Sequence, residues 1–105
     1  MKGEYFEIEK FKIGPTVRFN IHGRISSSTS FQFNDAMNLA LRMGQNNMIL
    51  DMRGVEFLSS LGIRTILSTY KQCAATGGNL QITNPPPHVA NVLGMAALDT
   101  LLLKE

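Results

Sequence analysis

The sequence predicts an α/β fold. A mixed sheet of about five strands, starting as an antiparallel hairpin and continuing in parallel, packs with about three helices. Three observations lead there. Apolar and polar residues alternate with the period of a strand on both sides of "IGPT" (13–16). Beyond residue 30, stretches of helical period alternate with short apolar runs. Glycine or proline stands at most junctions between them. The resulting order is β-β-α-β-α-β-α-β, and strands alternating with helices imply right-handed crossovers and parallel pairing.

From Tyr5 to Ile13 the alternation is loose, with Phe6 and Ile8 on one face and Glu7 and Glu9 on the other. "TVRFNIHG" (16–23) alternates cleanly, Val17, Phe19 and Ile21 inward and Arg18, Asn20 and His22 outward. Gly14 and Pro15 supply the turn, so the pair reads as a hairpin with one buried face. "GRISSSTS" (23–30) is small and polar and reads as a flexible loop. Phe33, Ala36, Met37, Ala40 and Leu41 recur at helical spacing, and Gly44 stops that helix. "NMILDMRG" is an apolar run ending in Asp51, which predicts a strand buried on both faces. Ile63, Ile66, Leu67, Tyr70 and Ala74 form the next helical stripe, ended by Thr76, Gly77 and Gly78. "NLQIT" (79–83) is another strand. "NPPP" then opens a helix that tolerates proline in its first turn, with Val89, Val92, Leu93 and Ala96 as its apolar face. "LDTLLL" (98–103) reads as a last strand or as the tail of that helix.

A chain of 105 residues is expected to form one domain over residues 1–105, with a core that needs no disulfide staple. The net charge of +2 comes from scattered Lys and Arg, so no basic run tracks a phosphate backbone and no nucleic-acid partner is expected. The lone Cys73 leaves no internal disulfide and fits a reducing compartment. "MKGEYFEIEK" is charged and alternating, unlike a signal peptide, and no apolar run approaches the roughly 20 residues of a membrane span. These features predict a cytoplasmic protein without membrane insertion. The six methionines read as core gap-fillers.

Little catalytic chemistry is present. His22 and His88 are far apart with no acidic or cysteine cluster between them, so no metal is expected. The dispersed glycines form no phosphate cradle, so no cofactor is expected either. "FLSSLG" (57–62) is not the G-x-S-x-G elbow, and no base accompanies its serines, which argues against an enzyme. One serine suffices to cap the helix that follows. The second is then spare at the positive end of a helix, where a phosphate is tolerated. From the residues alone, a cap and a cap with a modification site both stay open. Both "GRISSS" and "FLSSLG" follow strands, and a parallel sheet puts such loops on one edge, where ligands and partners meet.

The order of elements and the stretch "MILDMRGVEFLSSLGIRTILSTYKQCAATGGNLQI" (48–82) resemble the STAS domain of bacterial anti-sigma factor antagonists. That family carries a strand ending in Asp, a hydrophobic approach, D-S-S-G-L opening a helix, and a later G-G. Asp51 matches the strand end, and Val55, Phe57 and Leu58 match the approach. Ser60 falls on the first serine, the family's phosphorylation site. Gly62 and Ile63 match the glycine and leucine, and Gly77 and Gly78 the later pair. "PPPHVANVLGMAALDTLLL" (85–103) resembles the family's closing region, without the further helix that many members carry. Ser59 stands where the family has its acidic residue before the serine. Leu61 replaces the second serine, and Ser26 the acidic residue after the second strand.

The resemblance implies partner switching by a protein that is not itself an enzyme. The unphosphorylated antagonist binds an anti-sigma factor that is also an ATP-dependent serine kinase. Phosphorylation, at Ser60 in preference to Ser59, releases it, and a serine phosphatase resets it. The expected contact surface comprises Arg24, Ser26, Ser27 and Ser28 on one loop, and Leu58, Ser59, Ser60, Leu61, Gly62 and Arg64 on the other. Leu61 is expected exposed, and the free protein monomeric. The alternative, motivated by the serines at 26 and 59, is a non-switching STAS regulatory or scaffold subunit of a transporter ATPase or stress-sensing complex. A small-molecule or lipid-binding module has only the apolar content in its favour.

Overall fold

The computed structural model describes residues 4–103. Its elements are β1 (Phe6–Ile13), β2 (Thr16–Ile25), α1 (Ser30–Arg42), β3 (Asn47–Leu58), α2 (Ser60–Ala75), β4 (Asn79–Thr83) and α3 (Pro87–Met95), followed by a 3-10 turn at Asp99–Leu101. The strands form one sheet in the order β1-β2-β3-β4. β1 runs antiparallel to β2, and the β2–β3 and β3–β4 pairs are parallel. The mixed α/β class predicted from periodicity is the one found. The fifth strand shrinks to a single parallel bridge between Leu102 and Ile82, because the 3-10 turn uses up the residues before it.

The hairpin turns at Gly14, whose φ of 60° suits the first central position of a tight two-residue loop. Its register sets Phe6 opposite Gly23 and Ile13 opposite Thr16. β2 buries Val17, Phe19, Ile21 and Ile25, as its clean alternation predicts. β1 does less. Its alternation slips between Ile8 and Phe11, so Lys10 lies opposite Phe19 while Phe11 lies opposite Arg18. Phe6 and Ile8 are half-buried, and Phe11 and Ile13 are 45% and 63% exposed.

β3 departs from expectation in two ways. It alternates, burying Met48, Leu50, Met52 and Val55 on one side only, so it is not a strand covered on both faces. Asp51 sits mid-strand on the opposite side, bonded to Arg18 at 2.6 Å. The strand also continues seven residues past Asp51 to Leu58. Two irregularities in the β2–β3 register allow this, one between Asn20 and His22 and one between Gly23 and Arg24. Each inserts an extra residue into β3, which breaks the alternation of "RGVEFL" while pairing continues.

The buried face of the sheet joins Phe33, Met37 and Ala40 of α1, Ile66 and Cys73 of α2, and Val89 and Leu93 of α3 in one core cluster. All three helices end in the same way. Gln45 N–H donates to Ala40, Gly78 to Cys73 and Leu98 to Leu93, each reaching back over a residue of positive φ. Two of those residues are the glycines expected to stop the helices, Gly44 and Gly77. The third is Ala97.

Candidate functional site

The parallel register carries β2 and β3 to a common end, with Ile25 beside Leu58. The two serine-bearing loops therefore leave the sheet side by side, as the parallel topology predicts. Ser59 N–H donates to the Ile25 carbonyl at 2.8 Å and joins them. Gly62 permits the close approach: a Cβ there would lie 2.7 Å from Ile25 Cγ2 and 2.7 Å from Leu58 Cδ1.

Ser59 is the N-cap of α2. Its backbone is extended (φ −82°, ψ 169°), and its Oγ accepts the Gly62 N–H at 3.2 Å. Ser60 is the first helical residue and is exposed. A first-turn residue has no intrahelical acceptor for its own N–H, so Ser60 stands among unsatisfied donors at the positive end of a 16-residue helix. Leu61 is 39% exposed and Arg64, one turn on, is exposed as well. Leu58 is only 4% exposed and Gly62 is buried. These two lie beneath the edge and shape it, with little side-chain surface of their own in the free chain.

The segment 23–30 is not a flexible loop. Gly23 to Ile25 belong to β2, and the turn beyond is held by hydrogen bonds. Thr29 Oγ1 accepts the Ser26 N–H at 2.9 Å and donates to the Arg24 carbonyl at 2.5 Å. Ser30 N–H donates to the Ser26 carbonyl at 2.8 Å. Ser26 is buried in the free chain, whereas Ser27 and Ser28 are exposed.

Sequence reading missed Glu4. Its carboxylate accepts from Ser26 Oγ, from Ser28 Oγ at 2.8 Å and from Arg24 Nε at 2.8 Å. The Ser26 hydroxyl, then Arg24 and Ser28, hold its pKa at about 2, well below the ordinary value of 4.5. The signal was available in the hairpin. A turn at Gly14 and Pro15 makes opposed residue numbers sum to a constant, which sets residue 4 opposite residue 25. The Arg24 N–H bond to the Tyr5 carbonyl at 2.9 Å continues that pairing past β1. Arg24 is also stacked over the Phe57 ring, 4.5 Å from its centroid, so a face and an edge of its guanidinium are both engaged.

On the open face of the sheet, burial opposes ionisation of Asp51. The Arg53 N–H at 3.0 Å, Arg18 and Asn84 more than offset that and hold its carboxyl below the usual range. Burial pushes the Cys73 thiol up and leaves it unreactive. Among the described residues no group of three or more His, Cys, Asp and Glu side chains converges as a metal site would require. No helix among the described residues is long and apolar enough to cross a membrane.

The STAS domain family model matches residues 7–104. BtrV of Bordetella bronchiseptica, provisionally named an anti-sigma factor antagonist, is 26% identical over 72 residues, which cover 69% of this chain and 62% of BtrV. The match thus spans less than two thirds of that relative's length. Two solved structures of SpoIIAA share the fold. The unphosphorylated anti-sigma factor antagonist superposes with a TM-score of 0.83 at 20% identity, over 96% of this chain and 88% of its own. The phosphorylated form, described as a Bacillus cell fate determinant, gives 0.76 at 20% identity, over 96% and 91%.

Proposed function

Because the chain belongs to the STAS domain family, we propose that it acts as an anti-sigma factor antagonist, binding a kinase-type anti-sigma factor through the β2–β3 edge and released by phosphorylation of Ser60. The observation that carries the reading is the division of labour between the two serines. Ser59 spends its hydroxyl on the helix cap, while Ser60 is exposed in the first turn and its hydroxyl has no hydrogen-bond partner among the described residues. A neutral Ser60 can be buried against a partner at little cost. A phosphate carrying roughly −1.5 to −2 charges cannot, unless the partner pairs it. In the free protein the same phosphate is tolerated, because it faces the helix dipole and open N–H groups. No conformational change is required for release. The kinase partner brings ATP, magnesium and the base, so serine at positions 26 and 59 does not prevent transfer. The SpoIIAA pair, solved with and without phosphate on this fold, supports the reading by analogy.

Capture of partners from the native cell, then incubation with ATP and peptide mass mapping, tests this. The expected result is a kinase-fold anti-sigma factor and phosphate on Ser60. Ser60→Ala should then bind whether or not ATP is present, and Ser60→Asp should not bind. Ser59→Ala should mainly cost stability, about 0.5–2 kcal/mol for a lost cap. Phosphate on Ser59 would overturn the residue assignment. A partner recovered without any phosphorylation would favour the non-switching regulatory subunit, and the absence of a kinase-fold partner would sink the antagonist reading.

A further inference from the structure

Beyond Leu61 and Arg64, the antagonist reading leaves unused a groove between the start of α1 and the outer side of α2. Phe31, Asn34, Leu61, Arg64, Thr65 and Ser68 line a hollow of about 310 Å³. A second hollow of about 250 Å³ continues it along α2, bordered by Arg64, Leu67, Ser68 and Lys71. From Leu61 to Lys71 the strip is eleven residues long, or roughly 15 Å of helix, close to three turns. Its exposed apolar side chains are Phe31, Leu61 and Leu67, set among the polar Asn34, Arg64, Thr65 and Ser68. At its floor Thr65 Oγ1 donates to Asn34 Oδ1 at 3.3 Å, a polar bridge between the two helices.

The charge of this strip is one-sided. α2 contains no acidic residue. Arg64 and Lys71 are exposed and make no ion pair or hydrogen bond with another described residue. They stand seven residues apart, two turns along one flank of the groove. A trough about three turns long that exposes three apolar side chains beside two cations at a two-turn spacing fits an amphipathic helix with an apolar stripe and acidic residues beside it. The near end of the trough is Leu61, adjacent to Ser60, so the occupant would be continuous with the edge described above.

We infer that this groove docks an acidic amphipathic helix of the anti-sigma factor, extending the contact surface two turns beyond Arg64 to Lys71. The inference rests on the antagonist reading. It also gives the phosphate at Ser60 a second effect, because the new charge would stand at the mouth of a groove whose occupant is itself acidic.

The test uses the full chain and the anti-sigma factor recovered above. Arg64→Glu and Lys71→Glu should each weaken binding by about five- to tenfold at low salt. The loss should shrink on going from about 50 to about 300 mM salt, as screening removes the repulsion. Lys12→Glu, at the far end of the hairpin, carries the same charge change and should leave affinity unaltered. Acidic-to-lysine reversal on the partner helix should restore binding to Lys71→Glu. Unfolding midpoints of all variants check that the fold is kept. If the wild-type chain binds the anti-sigma factor and Lys71→Glu binds equally well, the groove is not the dock and the antagonist reading stands. If the wild-type chain binds no anti-sigma factor, both fall.

Discussion

Glu4 and Asp51 are carboxyls whose partners give the fold a pH dependence of definite sign. Both carboxyls are held below their ordinary values in the folded chain, Glu4 at about 2, through Ser26, Arg24 and Ser28. For Asp51, burial is outweighed by Arg53 N–H, Arg18 and Asn84. A depressed folded pKa contributes stability above the unfolded value, and that contribution is lost as the pH falls through the folded one. The urea midpoint should therefore be flat near neutrality and fall from about pH 4.5 towards about pH 2. Asp51→Asn should flatten the part of that slope due to the Arg18 ion pair. Glu4→Gln should flatten the rest and loosen the Ser26–Ser28 turn. A slope unchanged in both variants would mean that other carboxylates set the acid limit.

At the scale of the element, the helix C-termini use one device with unequal success. α1 and α2 end on glycine in the left-handed region, Gly44 and Gly77, while α3 ends on Ala97 with φ of 59°. A Cβ in that region strains the backbone by roughly 1–2 kcal/mol. The strain is tolerated because Leu93 and Leu98, the residues joined across the turn, are both buried in the core. Ala97→Gly should stabilise the protein by about 0.5–1 kcal/mol, the relief being partly offset by greater freedom of glycine in the unfolded chain. Equilibrium urea unfolding measures it. A loss of stability would show that the Ala97 methyl makes packing worth more than the strain.

Over the whole molecule, β1 is the edge strand with no bridge beyond it, and its charges bear on whether two copies pair. A two-fold antiparallel pairing must match sheet faces, so opposed residues share parity. Registers centred on β1 then set Glu9 on Glu9 or Lys10 on Lys10, and the neighbouring ones set Glu7 on Glu9 or Lys10 on Lys12. Like charges directly opposite are destabilising, so the edge resists its own copy despite exposed Phe11 and Ile13. Sedimentation of the free protein should therefore report a monomer. The double variant Glu9→Val, Lys10→Val should shift it towards dimer. A wild-type dimer that the double variant does not strengthen would place self-association elsewhere.

What the sequence determined by itself was local. The Gly14–Pro15 turn, the alternation of β2, the glycine stops of α1 and α2 and the Ser59 cap each depend on hydrogen bonds or side-chain period within a few residues. The family match rests on the same continuous stretches. What only the tertiary structure decided involves segments far apart in the chain. The bulges of β3 depend on β2 being alongside, so "RGVEFL" carries no strand period although it is strand. Leu58 and Ser26 look like loop residues until two strand ends meet and bury them. Glu4 reaches Ser26 across the width of a hairpin, and the groove at Leu61 exists because α1 and α2 pack with polar groups between them. Periodicity reports which face of an element is buried. It does not report which distant element covers that face, and the contact edge and groove of this protein are made from such coverings.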